Sequence, residues 1–172
     1  MNLLRLAALM ILGALSTPLS AETALQEGLP DYPVGFFDGV EGGPDSQMPT
    51  RITSVSDLAR IAAPKGVTLQ WISWDYRGEA RVLVNGTGQW FLDARQSGDG
   101  DAFVSVNGMI TEIGDKYFIL DGTISILNAP DAGRRCEAQD KWRFEITQNR
   151  QYYRLRRFEW CDGLTDYIDI YF

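Results

Sequence analysis

From residue 67 to the last residue, 172, the chain reads as short runs of alternating apolar and polar residues separated by turn-forming pairs, with no helical periodicity between them. The runs fall at 67–74, 79–84, 89–95, 102–113, 116–127, 141–147, 151–160 and 165–172. Between them stand Asn85-Gly86, Gly98-Asp99-Gly100, Gly114-Asp115, Asn149-Arg150 and Asp162-Gly163, which suit the backbone angles of tight turns. About eight antiparallel strands joined mostly by such turns predict a mainly all-β fold, a meander closed into a barrel or folded into a sandwich. One short capping helix precedes them. Ser54 serves as its N-cap and Asp57 can reach back, while Val55, Leu58, Ile61 and Ala62 share one face and Pro64 with Gly66 ends the run.

Register sharpens the expectation. A two-residue turn at Asn149-Arg150 pairs residues whose numbers sum to 299, setting Ile146 opposite Tyr153, Phe144 opposite Leu155 and Glu145 opposite Arg154. Apolar then meets apolar and acid meets base. The alternation breaks at Arg156-Arg157, where a β-bulge would restore it. A second hairpin around Gly114-Asp115 places Met109, Phe118, Leu120, Ile124 and Ile126 on one face.

The N-terminal part has a different character. Residues 1–21 read as a secretory signal peptide: Arg5 gives the positive start, Leu6 to Leu15 an apolar run, and Ser16 to Ala21 the cleavage region. That run falls well short of the ~20 residues a spanning helix needs. Residues 22–50 are rich in Gly, Pro and acids and read as an extended lead-in, leaving 51–172 as a single β domain. Asp38, Glu41 and Asp45 lack the spacing of a calcium loop. An exported chain with two cysteines most simply joins them, so Cys136 and Cys161 are expected to form a disulfide. Closing a loop of that length stabilises by about 3.5 kcal/mol in the chain-entropy treatment.

Composition removes several kinds of chemistry. The chain has no histidine, which excludes Ser-His-Asp and Cys-His catalysis and His-ligated metal, and neither metal nor cofactor is expected. A net charge of −7 argues against a nucleic-acid partner. Paired carboxylates remain for hydrolysis, with Asp75 and Glu79, Glu159 and Asp162, or Asp166 and Asp169 as candidates that read equally as turn and strand positions. Asp99-Gly100-Asp101 reads as a hairpin turn.

The average charge hides a local inversion. Between Arg134 and Arg157 there are eight bases and three acids, interleaved with Trp142, Tyr152 and Tyr153 and followed by Phe158, Trp160, Tyr167 and Tyr171. Arginine beside aromatic rings is the composition of recognition surfaces, because guanidinium binds anions and stacks on rings. Arg154, Arg156, Tyr152, Trp160 and Tyr167 are therefore the candidate ligand-binding residues. The competing reading is a solvated strand face with its aromatics in the core. At the C-terminus Ile168, Ile170 and Phe172 alternate and the chain stops on an aromatic residue. This resembles the closing strand of bacterial outer-membrane barrels and implies, as an alternative, a small eight-stranded outer-membrane β-barrel. Gly88-Gln89-Trp90 mimics the G-x-W fragment of lipocalins but sits mid-chain rather than on the first strand. The expected role is that of an exported periplasmic or secreted binding protein for a small anionic or glycan-like ligand or an envelope protein partner. The alternatives are the outer-membrane barrel and a carboxylate-dependent hydrolase.

Overall fold

The computed structural model describes residues 48–172, so the signal peptide expected at 1–21 and nearly all of the lead-in expected at 22–50 lie outside the described residues. Among these, the elements run β1 (Arg51–Ile52), α1 (Val55–Ile61), β2 (Gly66–Leu69), β3 (Glu79–Val84), β4 (Trp90–Ser97), β5 (Phe103–Gly114), β6 (Tyr117–Leu127), β7 (Arg135–Glu145), β8 (Tyr152–Leu155) and β9 (Ile168–Tyr171). Eight strands form one antiparallel sheet in the order β2-β9-β8-β7-β6-β5-β4-β3. Its two ends meet at a single bridge, where Val67 and Gly78 exchange backbone hydrogen bonds of 3.2 and 2.8 Å. The result is a nearly closed barrel with one helix, the barrel form of the predicted all-β meander.

Closure is completed by a side chain. Gln96 is buried on β4; its Oε1 accepts from the Leu69 amide at 2.7 Å and its Nε2 donates to the carbonyls of Tyr76 and Ser73. The amide satisfies backbone groups that no strand reaches, which a buried segment requires. For the same reason β2 stops at Leu69 instead of running through 67–74, and residues 70–78 form a loop.

Strand alternation builds the interior. Leu92, Val106, Ile124, Phe118, Leu120, Phe144, Leu155, Ile168 and Ile170 all point inward and are buried. Phe118 stacks on Phe144 at 4.9 Å and meets the Tyr153 edge at 5.2 Å. Each such buried aromatic or aliphatic chain contributes about 1.5–3 kcal/mol. Gly108 and Gly122 face each other across β5 and β6; a Cβ on Gly122 would lie 2.1 Å from the Asn107 carbonyl, so the strands approach there as only glycine permits.

Met109 does not join the interior row. A register shift between Ile110 and Glu112 sends Ile110 inward and Met109 outward, opposite Asp121, which corrects the predicted face. β4 ends opposite Ile110, and the freed edge of β5 is taken by β1, paired in parallel at Glu112 and Ile113. Thr50 joins the three: its hydroxyl donates to the Ile110 carbonyl at 2.5 Å and accepts from the Trp90 amide at 2.9 Å.

α1 caps the barrel end as expected, with Ser54 Oγ accepting from the Asp57 amide at 3.3 Å. Its buried face carries Leu58 and Ile61, whereas Val55 is 80% exposed and Ala62 faces solvent, narrowing the predicted face. Asp57 is fully buried. Its carboxylate accepts from Tyr153 Oη (2.7 Å), Arg60, Ser54 Oγ and the Lys116 amide. Burial pushes this carboxyl up, but those donors outweigh it and hold the group below its ordinary value of 3.8. A depressed folded value means stability that is complete above 3.8 and lost as pH falls through the folded value. Urea midpoints measured from about pH 5 down to pH 2 are expected to fall more steeply for the wild type than for Asp57→Asn.

The predicted strand 151–160 ends at Leu155, and no bulge forms at Arg156-Arg157. The predicted pairs Phe144–Leu155 and Glu145–Arg154 hold, while Ile146 donates its amide to the Lys116 carbonyl. Beyond Leu155 the chain leaves the sheet as a strap, residues 156–167, and re-enters as β9 at Ile168 rather than at 165. β7 begins at Arg135, six residues earlier than the predicted 141, because its first half pairs with β6 out to Leu127.

Candidate functional site

The strap is fastened to β7 and its preceding loop by charge and by sulfur. Cys136 and Cys161 form the expected disulfide. Arg134 commits its whole guanidinium: Nε and Nη2 to Asp162 at 2.8 Å each, Nη1 and Nη2 to Asp166 at 3.0 and 2.9 Å, and Nη1 to the Ala129 carbonyl at 2.7 Å. Hydrogen bonds from this fork hold the Asp162 carboxyl well below the usual carboxylate range. Asp166 is fully buried and also accepts from Trp71 Nε1 at 3.0 Å, so the same carboxylate anchors the loop 70–78. Gln70 reinforces that junction, donating to the Thr165 carbonyl and accepting from the Tyr167 amide.

The next charge sits on the outward face of the sheet. Arg154 on β8 lies opposite Asp169 on β9, and Nε and Nη2 donate to its two carboxylate oxygens at 2.7 Å each. Burial pushes the Asp169 carboxyl up, against the pull of Arg154. Around this buried pair the rings assemble. The Arg154 guanidinium carbon lies 4.2 Å from the Tyr167 ring centre, 5.2 Å from Tyr152 and 5.5 Å from Trp74. Tyr152 meets Tyr171 at 5.1 Å, and Arg77 covers Tyr171 at 3.8 Å. On the other side Tyr167 meets Phe158 at 5.3 Å, and Arg156 lies over Phe158 at 6.0 Å. A continuous ladder of arginine and aromatic groups therefore runs from Arg77 to Arg156 across β9, β8 and the strap.

Of the residues the sequence singled out, Arg154, Tyr152 and Tyr167 come together at the centre of this ladder and Arg156 stands at its end. Trp160 does not. It turns inward to meet Trp142 at 5.4 Å, and its indole N–H is buried without a hydrogen-bond partner. Trp71, Trp74 and Arg77 in the loop 70–78 were missed because the run 67–74 reads as a strand. The missed signal is local: Trp71, Trp74, Tyr76 and Arg77 crowd into seven residues that end just before Gly78. Trp71, Trp74 and Tyr76 are 37%, 47% and 49% exposed. Their polar and aromatic character suits a surface that is half buried and half wet.

The remaining candidates have other duties. Asp162, Asp166 and Asp169 are each held by an arginine, Glu79 pairs with Arg95, and Glu159 accepts from the Thr165 hydroxyl. Cys136, Cys161 and Asp162 lie within reach of one another, but the thiols are oxidised and the carboxylate is taken by Arg134. A groove of about 360 Å³ on the outer face of β5 and β6 is lined by Met48, Pro49, Met109, Ile119 and Lys141. The interior rows of the barrel are filled by apolar side chains.

These features define a disulfide-stapled, nearly closed antiparallel β-barrel with a packed interior and an outward arginine–aromatic face. A match to the PM1083 family covers residues 49–172, and the chain belongs to that family. It is similar to the Pasteurella multocida (strain Pm70) protein named Uncharacterized protein PM1083, at 37% identity over 106 residues, 60% of this chain and 68% of that one. No solved structure matches the chain.

Proposed function

We propose that this chain is an exported binding protein that takes a glycan-like chain along the ladder from Arg77 to Arg156, with the barrel as its scaffold. The observation that carries this reading is Trp74, an indole with a buried, already neutralised guanidinium on one side and nearly half its surface open to solvent. An open ring face stacks on the C–H face of a sugar. Tyr152 and Tyr171 add hydroxyls to the same ladder, and the exposed Arg77 and Arg156 suit acidic substituents at the two ends. Of the exposed aliphatic side chains, Met48, Ile52, Val55 and Val84 belong to other segments and Leu164, 37% exposed, lies in the strap, so this face lacks the clustered aliphatic centre of a protein-binding patch. The disulfide supports an oxidising, non-cytoplasmic compartment.

Two rival readings fit less well. An outer-membrane barrel turns apolar side chains to lipid and polar ones inward. Here Ile168 and Ile170 point inward, Phe172 packs on Tyr153 at 5.2 Å, and the outward row Arg81–Asp93–Asn107 is charged and polar. A carboxylate hydrolase needs an available acid and base, and the buried carboxylates are engaged by arginines.

Tryptophan fluorescence titrated with a soluble N-acetylglucosamine tetrasaccharide tests the proposal. A saturable change is expected, weakened roughly tenfold or more by Trp74→Ala, about 1.4 kcal/mol, and unaffected by Trp160→Phe. The absence of a saturable change at millimolar sugar, or an equal loss in both variants, would contradict it.

A further inference from the structure

The outer edge of β3 is built to receive another strand. Residues in an antiparallel pair alternate between those that bond their neighbour and those that aim N–H and C=O the other way. Asn85 donates to Gln89 across the β3–β4 turn, so Asn85, Leu83, Arg81 and Glu79 face β4. Gly78, Ala80, Val82 and Val84 then aim their backbone groups at the opposite edge. Gly78 spends its pair on Val67, which confirms the phase. Ala80, Val82 and Val84 have no backbone partner on that side among the described residues.

Exposed edges are normally blunted by proline, by charged side chains, lysine above all, or by a bulge. The segment Ala80-Arg81-Val82-Leu83-Val84 has no proline, lysine or bulge, its register against β4 is unbroken, and its one charge, Arg81, is drawn onto Asp93 at 2.6 Å. We propose that this edge pairs with the same edge of a second copy, antiparallel about a two-fold axis at Val82. That register sets Ala80 against the partner's Val84 and Val82 against the partner's Val82. Three pairs with two bonds each would use all six open backbone groups. On the outer face it places Arg81 against the partner's Leu83, with no like charges opposed. A slip by one pair keeps only two of the three pairs; in one direction it also sets Arg81 against its own copy, which is unfavourable, and in the other it sets Leu83 against its own copy. The two-fold at Val82 is the register that hydrogen bonding selects.

Light scattering on the full chain after size exclusion tests the pairing. At about 100 µM the particle is expected at twice the monomer mass, since association follows concentration. Val82→Pro removes an N–H that points away from β4, so the β3–β4 ladder survives while the partner's bond is lost. This variant is expected at the monomer mass with an unchanged far-UV spectrum. A wild type at the monomer mass, or a Val82→Pro variant still at the dimer mass, overturns the proposal. Amide exchange on the unsubstituted protein gives the answer should the variant fail to fold. Ala80, Val82 and Val84 are expected to exchange roughly tenfold more slowly at high than at low concentration, and equal rates overturn the pairing.

Discussion

Arg134→Ala is expected to destabilise the protein by about 3–5 kcal/mol, as loss of one partner from a buried ion pair does. The size follows from what is left behind. Asp166 is fully buried and would keep only the Trp71 indole as a side-chain donor, while the Ala129 carbonyl loses its side-chain donor too. A carboxylate left there without its counterion is an uncompensated buried charge, and that costs free energy. The effect also reaches the arginine–aromatic face, because Asp166 ties the loop 70–78 to the strap. Urea unfolding gives the loss, and Trp71 and Trp74 fluorescence is expected to change before the global transition. Arg134→Lys is expected to recover little, since an ammonium cannot span two carboxylates and a carbonyl as the planar fork does. A loss under 1 kcal/mol for Arg134→Ala would mean that the Arg134–Asp166 pair is not what holds the strap.

Replacing both cysteines by serine is expected to remove about 3.5 kcal/mol, from the loop of 25 residues that the disulfide closes. For a domain of this size that corresponds to a midpoint lower by roughly 10–15 °C. The bridge fastens the strap over the first half of β7, which β8 leaves uncovered because it pairs only with Phe144 and Glu145 at the far end of that strand. With it gone, the strap keeps Arg134 and the pair Arg157–Asp140 at 2.6 Å, an exposed contact worth little. Trp160 is then expected to lose its seat on Trp142, and its emission to shift to the red. Thermal unfolding with and without reductant checks both effects. An unchanged midpoint would show that the charged contacts alone hold the strap.

What could be read from the sequence was local. Period-two alternation and turn chemistry sufficed for the extents of β3 to β6 (though not for the face of Met109), for the Phe144–Leu155 register, and for the Ser54–Asp57 cap, because each depends on residues close in the chain. The ends of β2 and β8 did not follow the same logic. Trp71 and Trp74 favour a strand by type, yet the chain turns away at Leu69 because Gln96, 27 residues on, supplies the hydrogen bonds that a ladder would have given. The parity break at Arg156-Arg157 was visible, but its outcome depends on Trp160 finding Trp142 and on the disulfide. Arg154, Tyr152 and Tyr167 stood out by composition. That Arg154 is neutralised by Asp169, and so acts as a floor for the rings rather than an open anion hook, needed the pairing of β8 with β9.

The direct test of the proposed binding face uses the five indole N–H signals of Trp71, Trp74, Trp90, Trp142 and Trp160 in a nitrogen-15 correlation spectrum. On adding the N-acetylglucosamine tetrasaccharide, the signals of Trp74 and Trp71 are expected to move in a saturable way, with those of Trp142 and Trp160 in place. Shifts centred on Trp142 and Trp160, or none at any of the five, would contradict the assignment of this face as the binding surface.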